Sequence, residues 1–311
     1  MTERITKTDK SAKLFSNFRN NLIVIFLKGI SFLPFRIIYA LSDLIYFLNK
    51  YILKYRYRVT TENLKAAFPQ KTEEEITQLR NKFYHRLFDF LTESVKLYSM
   101  SAKEMAKRMD YSGLQELEDI TAKREGAIVL AFHYNNWEWC SYTQAVFKHP
   151  ILMVYNPPRN NSPMENFLKN SRGKWGGVVT PTTKAARSIF DYKQKGEPAV
   201  LWLAADQTGH ATSPFWMNFL NREASFFTGP EKIAAKTKYP VFFQYVKCVG
   251  RGRYKVDISM LAEHPEEMKA NEILIAYVEK MEAIIREEPE HYLWSHRRWK
   301  HTRPGGVELI R

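Results

Sequence analysis

The chain has 311 residues, 45% of them hydrophobic and 14% aromatic, which excludes a disordered protein and suffices for one large domain or two small ones. There are 47 Lys and Arg against 33 Asp and Glu, a formal net charge of +14. That excess favours an anionic partner: nucleic acid, an anionic membrane surface, or an acidic protein or lipid.

Residues 1–21 form a polar, basic tail. An apolar stretch follows from Leu22 to Leu48, interrupted by Lys28, Pro34, Arg36 and Asp43. A spanning helix needs roughly 20 apolar residues, so the length suffices. A charge at the bilayer centre costs about 2.5–3.5 kcal/mol and is tolerated only near an end, where the side chain snorkels. Two readings stay open: a single anchoring span, or a helical pair lying in the interface. The stretch is too long for a removable signal peptide and lacks a small-residue cleavage site. Residues 1–58 hold eleven basic residues and three acids. Such an excess beside an apolar segment marks the cytoplasmic side and attracts anionic lipid. Residues 22–58 are thus expected to be a membrane-anchoring helical segment, and residues 59–311 the main domain.

Residues 59–98 read as helices broken at Pro69 and Gln70, with Phe83, Leu87, Phe90, Leu91, Val95 and Leu97 at helical spacing. From about residue 113 short apolar runs alternate with helical patterns. Strands are predicted at Ala127–Phe132, Ile151–Tyr155, Ala199–Ala205, Val241–Val246 and Tyr254–Met260. Helices are predicted at about 137–147, 163–173, 183–194, 230–237 and 267–287. This alternation implies an α/β fold with a mixed, largely parallel sheet flanked by helices. Ligand sites in such sheets gather at the carboxyl ends of the strands. Cys140 and Cys248 give neither a disulfide framework nor a metal cluster, and read as small buried apolar residues.

His133 stands directly after the first of these strands, and Glu138 follows five residues later. A neutral imidazole is a general base for a hydroxyl, and a carboxylate on its other nitrogen fixes the tautomer and stabilises the imidazolium. The spacing alone is weak, since about one His-x4-acid arises by chance among 8 His and 33 acids. Asn135-x-x-Glu138 also fits a capping box, and His133 also fits a strand-end histidine without chemistry. Thr228-Gly229-Pro230-Glu231 reads as a capping box opening a helix, or as a helix N-terminus facing an anionic head group.

Six segments together resemble the late acyltransferases of lipid A biosynthesis, within the lysophospholipid acyltransferase superfamily. They are Arg58–Pro69, His133–Glu138, Tyr155–Asn161 with Arg172–Gly176, Asp206-Gln207, Trp216–Pro230, and Glu290–Lys300 with its Trp294-Ser-His-Arg-Arg-Trp-Lys run. The resemblance covers about Arg58 to Lys300. Two departures stand out: Asn221 replaces the family's usual Gly, and Tyr134–Trp137 differs from the classical lipid A enzymes where the acceptor would touch.

The resemblance implies that His133, steered by Glu138, deprotonates an acceptor hydroxyl, which attacks an acyl thioester presented by acyl-carrier protein. The implied acceptor is a lipid A precursor, at the inner (cytoplasmic) membrane with the catalytic domain facing the cytoplasm. An aminolipid, lysophospholipid or other glycolipid is the alternative. No G-x-S-x-G elbow for an acyl-enzyme occurs, and no cofactor or metal is expected. Arg172, then Arg159, are the oxyanion candidates. Asp206 reads as a partner for an arginine, an acceptor ligand or a plain turn residue. Asn161 and Gly229, and Arg297 and Arg298 in the basic C-terminal run, are the remaining candidates for binding substrate. That run fits lipid phosphate or acidic carrier protein better than nucleic acid. A non-catalytic anionic-lipid or nucleic-acid binder, indifferent to His133→Ala and salt-sensitive, is the rival from another class. A second rival is an esterase that uses water.

Overall fold

A computed structural model describes residues 7–158 and 161–310, with side chains from Phe18 onward. The first six residues of the basic tail, and Arg159, lie outside the described residues. The chain opens with two helices, α1 (Lys7–Ser31) and α2 (Phe35–Leu48). Pro34 separates them, because it has no N–H to continue α1 and its fixed φ suits a helix start. A π-helical turn, Asn49–Leu53, then leads to α3 (Tyr57–Ala67) and the long α4 (Glu73–Lys96). Thr72 and Glu75 close a reciprocal capping box at the start of α4.

The α/β part follows as α5 (Ala102–Ala106), β1 (Met109–Ser112), α6 (Leu114–Lys123), β2 (Gly126–Ala131), β3 (Ile151–Tyr155), α7 (Ser162–Gly173) and β4 (Val178–Pro181). It continues with α8 (Ala185–Lys195), β5 (Ala199–Ala204), β6 (Trp216–Phe219), β7 (Arg222–Ser225), α9 (Gly229–Thr237) and β8 (Val241–Gly250). Then come β9 (Arg253–Ala262), α10 (Glu272–Glu287) and the short β10 (Leu309–Ile310).

Seven strands form one sheet in the order β1-β9-β8-β2-β5-β3-β4. Only the β8–β9 hairpin is antiparallel in that sheet, so it is mixed and largely parallel, as its alternating sequence implies. β2 sits inside the sheet with all six residues buried, as a strand covered on both faces requires. A second sheet joins β6, β7 and β10. The predicted helix at 137–147 is instead a 3-10 run, Trp137–Ala145. Five consecutive residues there, Trp139–Thr143, are buried, so no amphipathic stripe exists to favour an α-helix.

Among the described residues, no helix is long and apolar enough to cross a membrane. The single anchoring span therefore has no counterpart there. The outer faces of α1, α2 and the π-helical turn nevertheless leave Phe18, Leu22, Phe26, Phe47, Ile52 and Leu53 exposed. The inner face of α2 packs on α4, where the Ser42 hydroxyl donates to Asp89 at 2.7 Å and Tyr39 donates to Glu93 at 2.8 Å. Arg251, in the β8–β9 turn, reaches both Asp43 and Asp89 at 2.5 Å and ties the helices to the sheet.

Gly113 precedes α6 with φ +76°, and a Cβ there would lie 1.8 Å from the Ile258 carbonyl oxygen. Gly113→Ala should therefore lower the unfolding free energy by about 1–3 kcal/mol from backbone strain alone. Thermal unfolding followed by circular dichroism checks this, and an unchanged midpoint contradicts it.

Candidate active site

The parallel register of β2 and β5 sets Ala131 opposite Ala204. His133 and Asp206 each stand two residues beyond that pair, so they emerge side by side. The His133 Nδ1 lies 2.6 Å from Asp206 Oδ1. Asp206 is buried, whereas His133 retains an exposed edge. Burial alone would push the imidazole pKa down, but the charge and hydrogen bond of Asp206, with a smaller push from Glu138, raise it above the ordinary histidine value. Burial likewise works against an ionised Asp206, yet His133 and then Arg298 hold it below the usual carboxylate range. With Nδ1–H donated to Asp206, Nε2 is the basic nitrogen. The Gln207 side-chain amide lies 3.2 Å from it and donates to it.

Glu138 is placed differently from the sequence expectation. Its carboxylate takes two hydrogen bonds from Arg172, Nε at 2.7 Å and Nη2 at 2.5 Å, a bidentate pair joining the 3-10 run to α7. The carboxylate bonded to His133 is thus that of Asp206, and Glu138 acts on His133 only through its field. Burial opposes the charge of Glu138, but Arg172 outweighs it and lowers the pKa. Trp137 stands edge-on to the His133 ring, with centroids 4.8 Å apart.

The loop between β2 and the 3-10 run is fixed by its own polar groups. Asn135 adopts φ +52°, and its amide donates to the Val246 carbonyl at 2.7 Å. The cap of the 3-10 run is Asn136, whose Oδ1 accepts the Trp139 N–H at 3.2 Å, so Asn135 and Glu138 do not form the expected capping box. The Asn136 amide reaches back to Glu93 on α4 at 2.7 Å.

The other candidates scatter. Asn161 caps α7, accepting the Met164 N–H at 3.1 Å. Gly229 opens α9, but Thr228 makes no side-chain cap, and Glu231 instead accepts the Asn271 N–H at 2.5 Å. The capping box read at Thr228 is therefore not formed. Arg297 is exposed. Arg298 is fully buried, stacked 4.1 Å from the Phe226 ring centroid, and lends its positive charge to Asp206. In this position it lies behind the carboxylate, removed from solvent. Cys140 is buried and Cys248 half-buried. Gln207 and Trp137 touch His133; the sequence placed both in segments of the family resemblance but gave neither a role of its own.

The whole arrangement lies within the segment that matches a known family. Residues 5–301 match the model for bacterial lipid A biosynthesis acyltransferases. The chain belongs to this family. It is an acyltransferase. Over 283 residues it is 27% identical to the lipid A biosynthesis lauroyltransferase of Escherichia coli, covering 88% of this chain and 89% of that protein. It is 24% identical to the lipid A biosynthesis acyltransferase of Haemophilus influenzae, covering 87% and 84% of the two chains. It is also 24% identical to the lipid A biosynthesis palmitoleoyltransferase of Escherichia coli, covering 89% of each.

A histidine that acts as a general base must be unprotonated, and Asp206 raises the pKa of His133. The wild-type acyltransferase should therefore lose activity as pH falls through a value above the ordinary histidine range. Asp206→Asn should move that acidic limb to lower pH and cut kcat/KM by about 10²–10⁴-fold, since the neutral amide neither raises the pKa nor enforces the tautomer. A pH profile of kcat/KM for both proteins checks this, and an unmoved limb would show that Asp206 does not act on the base.

Proposed function

We propose that this family member transfers a fatty acyl chain from an acyl thioester, carried by acyl-carrier protein, to a hydroxyl of a lipid A precursor. The observation that carries this reading is the His133–Asp206 pair at the carboxyl ends of β2 and β5, with Nε2 free of any protein acid. The acceptor hydroxyl displaces the Gln207 amide from Nε2 and gives up its proton there as its oxygen attacks the thioester carbonyl. An O–C bond forms and a tetrahedral oxyanion develops. The C–S bond then breaks, and the imidazolium returns the proton to the departing thiolate. Arg172 offers its Nη1 to the oxyanion, because Glu138 occupies only Nε and Nη2. Glu138 fixes that arginine and adds negative potential at His133.

Membrane association follows from the exposed apolar side chains of α1 and α2 beside Arg19, Lys28, Arg36, Lys50 and Lys54. An amphipathic pair with basic residues at its border lies in the interface of an anionic membrane. The inner membrane, with the site facing the cytoplasm, supplies both the acidic carrier protein and the lipid acceptor.

The test uses detergent-purified protein, labelled acyl-carrier protein and a crude lipid extract. Wild type should label a lipid A precursor. His133→Ala should lose transfer by at least 10³-fold, and Glu138→Gln by about 10²-fold or more, with folding unchanged. Label in an aminolipid or lysophospholipid instead would reassign the acceptor. Transfer that survives His133→Ala would remove the base from its role.

Membrane docking has its own test. Phe26→Asp combined with Phe47→Asp should weaken co-sedimentation with phosphatidylglycerol vesicles by about 10²–10⁴-fold, because each exposed ring contributes about 1.5–3 kcal/mol on burial in lipid. Equal sedimentation of variant and wild type would place the membrane contact elsewhere.

A further inference from the structure

Among the described residues, only Gln207 makes a hydrogen bond to Nε2 of His133, at 3.2 Å. The backbone around it is fixed on both sides. Before it, the Ala205 N–H donates to the Ala131 carbonyl at 3.1 Å. After it, the Thr208 hydroxyl lies 3.1 Å from the Arg297 carbonyl and 2.7 Å from that of Arg298, and the Gly209 N–H donates to the Ser225 carbonyl at 3.2 Å. Only glycine permits this approach at 209, where a Cβ would lie 2.7 Å from the Phe226 carbonyl. The Gln207 side chain, by contrast, is half-exposed and makes no other hydrogen bond among the described residues. Its one polar contact is therefore the nitrogen that an acceptor hydroxyl must occupy. The amides of the neighbouring loop are already engaged, Asn135 with the Val246 carbonyl and Asn136 with Glu93. Arg172 gives Nε and Nη2 to Glu138.

We propose that Gln207 is a further catalytic residue, whose carboxamide turns from Nε2 to the developing oxyanion and donates a hydrogen bond to it. The inference rests on the reading of His133 as the base. A hydroxyl poised for deprotonation sits about 2.6–3.2 Å from its base, the place the amide nitrogen now holds. A displaced amide stays next to that hydroxyl, because its backbone does not move. The oxyanion lies only two bonds from the attacking oxygen. In the step, the hydroxyl O–H breaks toward Nε2, its oxygen bonds to the thioester carbon, and the carbonyl π pair moves onto the carbonyl oxygen. That oxygen accepts an N–H of Gln207. The pair then returns, the C–S bond breaks, the imidazolium protonates the thiolate, and the amide goes back to Nε2. The exchange favours the transition state. A neutral contact of 3.2 Å is near the long end for an N–H donor, whereas a hydrogen bond to a forming anion is shorter and stronger. The amide also adds no charge to a site in which Asp206 and Glu138 already stand against Arg172 and Arg298.

The test measures kcat and KM for labelled acyl-carrier protein across pH, with the full chain in detergent and lipid extract at saturation. Gln207→Ala should lower kcat by about 10²–10³-fold, the loss expected for one oxyanion donor, and leave KM almost unchanged. Its acidic limb should stay in place, because the carboxamide is neutral and offers N–H to an imidazole or its oxygen to an imidazolium. Gln207→Glu keeps the shape without the donor. It should lose at least as much kcat, and its charge should move the acidic limb to higher pH. Both variants should unfold at the wild-type midpoint. Wild-type kcat in Gln207→Ala overturns the proposal, and a raised kcat overturns it by reducing the amide to a plug on the base. A loss carried by KM alone makes Gln207 a binding contact and overturns it too. So does full activity of Gln207→Glu, whatever the stability of Gln207→Ala. His133→Ala is run in parallel. Transfer that survives it sinks the base and this proposal together, whereas a dead His133→Ala beside a fully active Gln207→Ala sinks the role of Gln207 alone.

Discussion

The in-register parallel pairing of β2 with β5 is the constraint on which the site depends. The Ala205 N–H donates to the Ala131 carbonyl at 3.1 Å and carries the ladder to the very edge of the site. The Tyr277 hydroxyl donates to the same carbonyl at 2.7 Å. His133 and Asp206 therefore stand just beyond the last hydrogen bond of the sheet, and that nearby rigid ladder keeps the two side chains in place. Burying the Asp206 carboxylate costs several kcal/mol, which only nearby positive charge offsets. Arg298 supplies that charge, and the His133 Nδ1–H adds a hydrogen bond. The Thr208 hydroxyl, two residues after Asp206, donates to the Arg298 carbonyl at 2.7 Å and fastens the C-terminal segment behind the carboxylate. The guanidinium lies against Phe226 at 4.1 Å and Phe219 at 5.6 Å, contacts that favour a cation deprived of water.

Glu93 extends that order outward. It is wholly buried on α4, and burial pushes its pKa up to about 7, although Tyr254, Tyr39 and Asn136 all donate to it. Its backbone carbonyl also accepts the Trp139 indole N–H at 3.0 Å. One side chain thus connects α2, the loop that follows His133, and β9. A network this dry is strong when every member is satisfied and costly when one is lost. The surface helix α2 and the site loop are consequently parts of one packed unit, and the boundary drawn at residue 58 is not a break in packing.

The central strands β2, β3, β5 and β8 were legible because each holds a run of apolar residues long enough to fill a sheet covered on both sides, and β9 because charged and buried residues alternate along its first half. β1, β4, β6, β7 and β10 have four residues or fewer, too short for any period to register. The division of Leu22–Leu48 into two helices was present in Pro34, which had kept a helical pair open beside the single span. His133 was recognisable from its place at a strand end. Its partner was not, because Asp206 lies 73 residues away and meets it only through the β2–β5 register. The local alternative, Glu138, has the right chemistry at the right spacing. However, the 3-10 turn carries its carboxylate to Arg172, 34 residues on, which a helical reading of 137–147 could not foresee.

The charges so arranged suit the proposed transfer. With His133 neutral, Asp206 and Glu138 are balanced by Arg172 and Arg298, and these four side chains are largely removed from water. Attack on a thioester moves a proton onto His133 while negative charge grows on the carbonyl oxygen. In the proposed step the imidazolium forms against Asp206 and the oxyanion turns to Arg172, so each new charge would meet an opposite one. The total stays at zero from resting state to tetrahedral intermediate. In a site of low effective dielectric, uncompensated charge at a few ångströms is costly, and a preset arrangement needs little reorganisation as the reaction proceeds. In the proposed transfer the two carboxylates have separate tasks: Asp206 holds the base, and Glu138 holds the arginine offered to the oxyanion.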